Sequence, residues 1–159
     1  MGQRTLSVLL KVIICLIGVC GLVIYLAVIP MYGNMLVDKY PEYAGAYQPW
    51  IIFIWLTAIP CYIDMFLVWR IADNIGRDKS FSRKNAAYLK WISFITAADS
   101  LVFFAVNIIF VMAGISHPGV ALASLIVVFF GVAVCVISAA LSHLVMKAAL
   151  LQEENELTI

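Results

Sequence analysis

The chain predicts an all-α polytopic membrane protein, built as an antiparallel bundle of four transmembrane helices. Three observations predict it. Of the 159 residues, 65% are hydrophobic and only 12% are charged, about half the charged share of an ordinary soluble domain. Four apolar stretches, 6–30, 50–69, 91–113 and 119–141, each reach the ~20 residues needed to cross a hydrocarbon core of ~30 Å. The basic residues alternate in side. Arg4 and Lys11 flank the first stretch, Arg70, Arg77, Lys79, Arg83, Lys84 and Lys90 lie between the second and third, and Lys147 follows the fourth, leaving Lys39 alone opposite. The net charge of +1 conceals this asymmetry. The positive-inside rule then expects both ends and the middle connection in the cytoplasm. The domain reading is one transmembrane domain over 1–159.

The first helix is expected at about 6–30. Its basic start resembles a signal peptide, but the apolar run is too long and no small-residue cleavage site follows. Val19 stands before Cys20, so a lipoprotein signal is not expected either. The segment 31–49 carries Tyr32, Tyr40, Tyr43 and Tyr47, with Trp50 just beyond. Tyr and Trp favour the membrane interface, so an external loop lying along the outer surface is expected.

The second helix is expected at about 50–75, with Gly76 as its stop. The third, about 82–113, has Ser82 as a cap and Phe81 as a hydrophobic staple. The two then project beyond the bilayer as a hairpin closed by 77–81. The short connection 114–118 makes the third and fourth helices tight neighbours. The fourth is expected at about 119–152, because Leu141, Leu144, Val145, Ala148 and Leu151 continue a helical apolar stripe. In the tail, 153–159, Glu153, Glu154 and Glu156 oppose the dipole of a helix C-terminus, so fraying is expected unless a partner binds. The four cysteines, Cys15, Cys20, Cys61 and Cys135, form no Cys-x-x-Cys pair. Thiol redox chemistry is therefore not expected, and they read as small packing residues.

Asp64 and Asp99 lie inside membrane-length apolar stretches. A charge at the centre of a transmembrane helix costs ~2.5–3.5 kcal/mol on insertion scales, so such acids face a partner or a watery cavity. Counted at ~1.5 Å per residue from Arg70, Lys90 and Arg4, Asp64, Asp99 and Lys11 fall in one layer. Lys11, Cys15 and Gly18 form a helical stripe, Ser93, Thr96, Ser100 and Asn107 share a face with Asp99, and Ser124, Gly131, Cys135, Ser138 and Ser142 form a third. The intramembrane charged cluster is thus Lys11, Asp64, Arg70 and Asp99. The structural alternative pairs Lys11 with one aspartate and leaves hydroxyls or Arg70 to satisfy the other. The functional alternative is an ion or proton site, since two close carboxylates hold one acid easily protonated. An intramembrane aspartyl protease is disfavoured because no Gly-x-Gly-Asp element is present. No catalytic residue, cofactor or metal is expected. His117 and His143 have no second ligand at a metal spacing.

The run Ile59-Pro60 through Phe66, then Lys79-Ser80-Phe81-Ser82 with Asn85 and Leu89, Pro118-Gly119, and the ending Glu153-Glu154-Asn155-Glu156-Leu157-Thr158-Ile159 together resemble the YoaS-like four-helix membrane proteins of bacteria, a domain of unknown function. The resemblance spans essentially the whole chain, although Asp64 and Asp99 are not part of its pattern. It implies a bacterial inner-membrane protein with no accepted activity, often encoded beside a very small helix-turn-helix regulator of the Cro/CI type.

The resulting expectation is a non-enzymatic membrane partner or sequestering anchor of such a small cytoplasmic DNA-binding regulator. Docking would use Arg77, Lys79, Arg83, Lys84, Glu153, Glu154 and Glu156. The alternative is a small transporter or proton-coupled carrier using Asp64 and Asp99. The lipid bilayer is the one certain neighbour, direct nucleic-acid binding is not expected, and homo-oligomerisation is left open.

Overall fold

The computed structural model describes residues 2–157, with side chains through 155. The described residues form helices α1 (Gln3–Val23), α2 (Ile29–Lys39), α3 (Tyr47–Gly76), α4 (Arg83–Met112) and α5 (Pro118–Leu157). A π-turn over Ile24–Val28 joins α1 to α2, and a 3₁₀ turn over Pro41–Ala46 joins α2 to α3. Four helical segments are long and apolar enough to span a membrane: Gln3–Lys39, Pro41–Gly76, Arg83–Met112 and Pro118–Asn155.

The first span does not end at Pro30, and 31–49 is mostly helical rather than a loop. Proline has no N–H and its ring clashes with the preceding turn, so it normally breaks a helix. Here the π-turn absorbs the clash by widening the register just before Pro30. One carbonyl nevertheless loses its donor. The Trp55 indole of α3 donates to the Tyr25 carbonyl at 3.0 Å. In hydrocarbon no water can take that place, so a side chain 30 residues away lets the helix continue to Lys39.

Each long helix packs on its neighbour in sequence: α1 on α3, α3 on α4, and α4 most extensively on α5. Among the described residues α5 makes no close backbone approach to α1 or α3. The four spans are therefore an open antiparallel row rather than a closed ring. The accessible surface of 10704 Å² exceeds the roughly 7,900 Å² expected of a compact soluble chain of this mass. The excess is apolar: Leu101, Met112, Leu122, Phe129 and Phe130 are each more than 60% exposed, as suits faces solvated by lipid.

The α4–α5 pair is close because small residues line it. A Cβ on Gly131 would collide with the Ser100 hydroxyl. Buried Ser124 and Ser138, half-buried Cys135, and Ser142, which donates to the Ala86 carbonyl at 2.7 Å, continue the seam. The expected small stripe of the last helix thus faces α4. That of the first helix keeps Lys11 and Gly18 but has Ile14 in place of Cys15. Buried Ser7 and Gly18 and half-buried Lys11, Ile14 and Gly21 meet α3, while Cys15, Cys20 and Cys61 are exposed and do not serve as interior packing.

The basic turn between α3 and α4 also differs in detail. α3 does end at Gly76, but the left-handed residue is Asp78, at φ 61°. Lys79 N–H reaches the Asn74 carbonyl at 2.9 Å and Asp78 N–H reaches that of Ile75 at 3.1 Å, the paired bonds of a Schellman ending. Gly76 is needed instead because a Cβ there would stand 2.8 Å from the Ser7 hydroxyl of α1. Ser82 caps α4, accepting from the Asn85 N–H at 3.3 Å. Phe81 makes no staple, being 58% exposed. The chain end is helical through Leu157 rather than frayed from residue 153.

Replacing Trp55 with Phe should orphan the Tyr25 carbonyl and lower thermal stability in detergent by about 1 kcal/mol. Pro30→Ala restores a backbone donor, so the double variant should recover most of that loss. Equal instability of single and double variants would show that the indole bond does not substitute for the missing N–H.

Candidate functional site

Two hydroxyls set the register of α1 against α3. Ser7 donates to the Ala72 carbonyl at 2.6 Å, and Tyr62 donates to the Gly18 carbonyl at 2.8 Å. This places Gly18 level with Tyr62–Met65, where a side chain at residue 18 would touch the Met65 methyl. Lys11, about 10 Å along the helix from Gly18, then comes level with the end of α3.

Lys11 accordingly forms an ion pair with Asp73, not with Asp64 or Asp99. Its ammonium also lies over the Trp69 ring, 5.3 Å from the centroid. Arg70 satisfies neither intramembrane aspartate. Its guanidinium lies over Phe66 at 5.9 Å, and it shares the field of Asp73 with Arg77. Depth counted from Arg70 placed Asp64 too close to the end of its helix, because α3 runs on past Arg70 to Gly76 before the turn. The expected four-membered cluster is therefore split into two layers.

The inner layer holds both acids. Thr96 of α4 donates to Asp64 Oδ2 at 2.7 Å, while Asp64 Oδ1 is buried without a hydrogen-bond partner. Asp99 is within electrostatic reach of Asp64, and also of Cys61 and Tyr25. The Tyr25 hydroxyl, carried on the π-turn, lies against the side chains of Thr57 and Cys61. Ser93 and Cys135 approach at 3.4 Å one turn nearer the basic end. The layer thus holds two half-buried carboxylates within each other's field, of which Asp64 has a hydroxyl donor in Thr96. No described group of three His, Cys, Asp or Glu side chains has metal-binding geometry. His117 accepts the Gly119 N–H at 3.0 Å and so caps α5.

The basic end forms the other layer. Asn85 is 1% exposed. Its amide donates to the Lys79 and Ser80 carbonyls at 3.2 and 2.9 Å, and its oxygen accepts from Asn74 at 2.7 Å. One buried side chain thus ties both helices to the turn between them. Arg83 grips Glu153 of α5 with three bonds of 2.6–3.2 Å. These two expected docking residues are therefore occupied with each other, and Glu154 is engaged as well. Arg77, Lys79 and Lys84 point outward with Phe81. The side chain of Glu156 lies outside the described residues.

Residue-by-residue reasoning missed Asp73, Tyr25, Trp55 and Asn85. Asp73 carried a usable signal, standing four residues after Trp69 and three after Arg70, hence on one helix face. Asn85 did too, at the third helical position after Ser82, where a capping partner stands. Tyr25 and Trp55 carried none.

An all-helical chain with four membrane-length helices and a two-layered polar interior is a polytopic α-helical membrane protein. More narrowly, the chain belongs to the bacterial membrane family described as "Protein of unknown function (DUF2975)", which matches residues 32–159. It is 28% identical over 161 residues to the "Uncharacterized membrane protein YoaS" of Bacillus subtilis (strain 168), covering 99% of each chain. No solved structure matches it.

A double-mutant cycle distinguishes the two layers. Lys11→Ala should destabilise the protein more than Lys11→Ala with Asp73→Asn, because an unpaired charge is worse than none. A coupling of about 1 kcal/mol is expected for a pair that is part-exposed, and Lys11 with Asp64 should be additive in the same thermal assay.

Proposed function

We propose that this chain is a non-enzymatic inner-membrane partner that holds a small helix-turn-helix transcriptional regulator at the cytoplasmic face. The observation that carries this reading is the braced basic turn. Asn85 and the Arg83–Glu153 clamp hold α3, α4 and α5 rigidly at this end. No described element of the chain covers the exposed Phe81 or neutralises Lys79 and Lys84. Aromatic residues are enriched at the cores of protein interfaces, and an exposed one among cations suits an acidic partner. The docking set thereby narrows to Arg77, Lys79, Phe81 and Lys84, which would recognise an acidic, apolar-centred face of the regulator. The location of nine of the ten Lys and Arg residues supports cytoplasmic termini. The family resemblance supports the kind of partner.

A second reading is a small carrier using Asp64 and Asp99. The observation favouring it is the buried, partnerless Asp64 Oδ1 beside a second acid. Under it, Asp64→Asn or Asp99→Asn abolishes activity in the host and leaves regulator capture intact.

Two measurements test the leading reading. Reporters joined near Glu42 and after the last residue should score outside and inside respectively; the reverse would place the basic turn where no regulator reaches it. Purified from its host, the protein should retain a small DNA-binding protein. Phe81→Ala with Lys79→Glu and Lys84→Glu should reduce that retention more than tenfold without changing thermal stability. Unchanged retention would remove the turn from the interface, and no retained regulator at all would favour the carrier.

A further inference from the structure

The helix end around Lys11 carries more positive charge than its own partner neutralises. Arg70 and Asp73 stand at i and i+3 on α3 and so share a face, and Arg77, the first residue beyond the helix, also acts on Asp73. Lys11 of α1 meets this face at Asp73 and over Trp69. Three cations therefore surround one carboxylate, leaving two positive charges in excess. Neither Arg70 nor Arg77 forms an ion pair of its own among the described residues.

Lys11 also borders an open, shallow hollow of about 300 Å³, lined with it by Val8, Val12, Cys15, Leu16 and Trp69. Its walls are apolar except for the lysine, and it opens sideways from α1 and α3. An excess of cations at this helix end, with an open apolar hollow at Lys11 on the membrane-spanning stretch of α1, matches an amphiphile with an anionic head and a hydrocarbon chain. Basic pockets at helix junctions near the cytoplasmic surface bind such head groups. Trp69 suits the same depth, since indole rings favour the interface.

We propose that this cradle is a binding site for an anionic phospholipid. The phosphodiester sits against Lys11 and Arg70 with Arg77 adding to the field, and one acyl chain lies in the hollow between α1 and Trp69. Asp73 orients Lys11 and sets an upper limit on affinity by cancelling one charge. The site is separate from the inner acid layer and shares only Arg77 with the Phe81 turn, and it does not depend on either functional reading.

The test is native mass spectrometry of the full-length protein released from nanodiscs, with phosphatidylglycerol against phosphatidylcholine as probes. Phosphatidylglycerol should be retained at least tenfold better. Lys11→Gln and Arg70→Gln should each lower that preference about fivefold, and Asp73→Asn should raise it. Arg70→Gln with Arg77→Gln removes only exposed side chains, so it keeps the test valid should Lys11→Gln fail to fold. Inorganic phosphate at millimolar concentration should not displace the lipid, because it lacks the chain that fills the hollow. Displacement by phosphate, equal retention of the two lipids, or loss of preference on Lys79→Gln with Lys84→Gln but not on the Arg70 and Arg77 changes would each overturn the proposal. The last result would assign the effect to general attraction by the basic turn.

Discussion

Two hydroxyl groups hold α1 against α3, and the rest of the polar architecture follows from where they place the helices. Ser7 binds the Ala72 carbonyl and Tyr62 binds the Gly18 carbonyl. In hydrocarbon, apolar side chains gain little by meeting one another, because lipid tails are equally apolar. Close approach of small residues and interhelical hydrogen bonds therefore set the register. Bringing Lys11 level with Asp64 would take a slide of about two and a half turns and break both bonds. As it stands, Lys11 meets Asp73 at the interface, and of the deep acids Asp64 is left to Thr96.

The same physics explains the open row. A soluble bundle closes to hide its apolar faces from water, but a membrane helix needs to hide only its polar ones. The serine and glycine seam of α5 is satisfied by α4 alone, and its outward valines and phenylalanines are already in a good solvent. The consequence for function is that the acid layer is bounded by α3, α4 and the π-turn that carries Tyr25, with Cys135 and Gly131 of α5 closing it behind α4. The two readings of function consequently occupy different layers of the molecule, one mid-membrane and one at the basic end.

The basic end is rigid for a different reason. It lies where water competes for every polar group, so order requires burial. Asn85 supplies it by satisfying two turn carbonyls and Asn74 from a position that solvent does not reach. The Arg83–Glu153 clamp is exposed and contributes modestly to stability, but it brings the last turns of α5 alongside the first turn of α4. A tail that opposes its own helix dipole is thus compensated by an arginine 70 residues earlier.

Local and periodic features were readable from the residues alone. The four apolar runs, the alternating side of the basic residues, the Ser82 cap and the small seam of the last helix each depend on neighbours within a turn or two, so the residues reveal them directly. Features joining distant segments were not readable. Pro30 reads as an ending because its missing donor is supplied from α3, by an indole that no spacing rule connects to it. Lys11 reads as a partner of the deep acids because depth counted from the nearest arginine takes no account of how far α3 extends. Glu153 reads as free because its clamp closes only once α4 and α5 lie side by side. In each case an interhelical contact supplies the missing partner, and only the packed helices bring the two groups within reach.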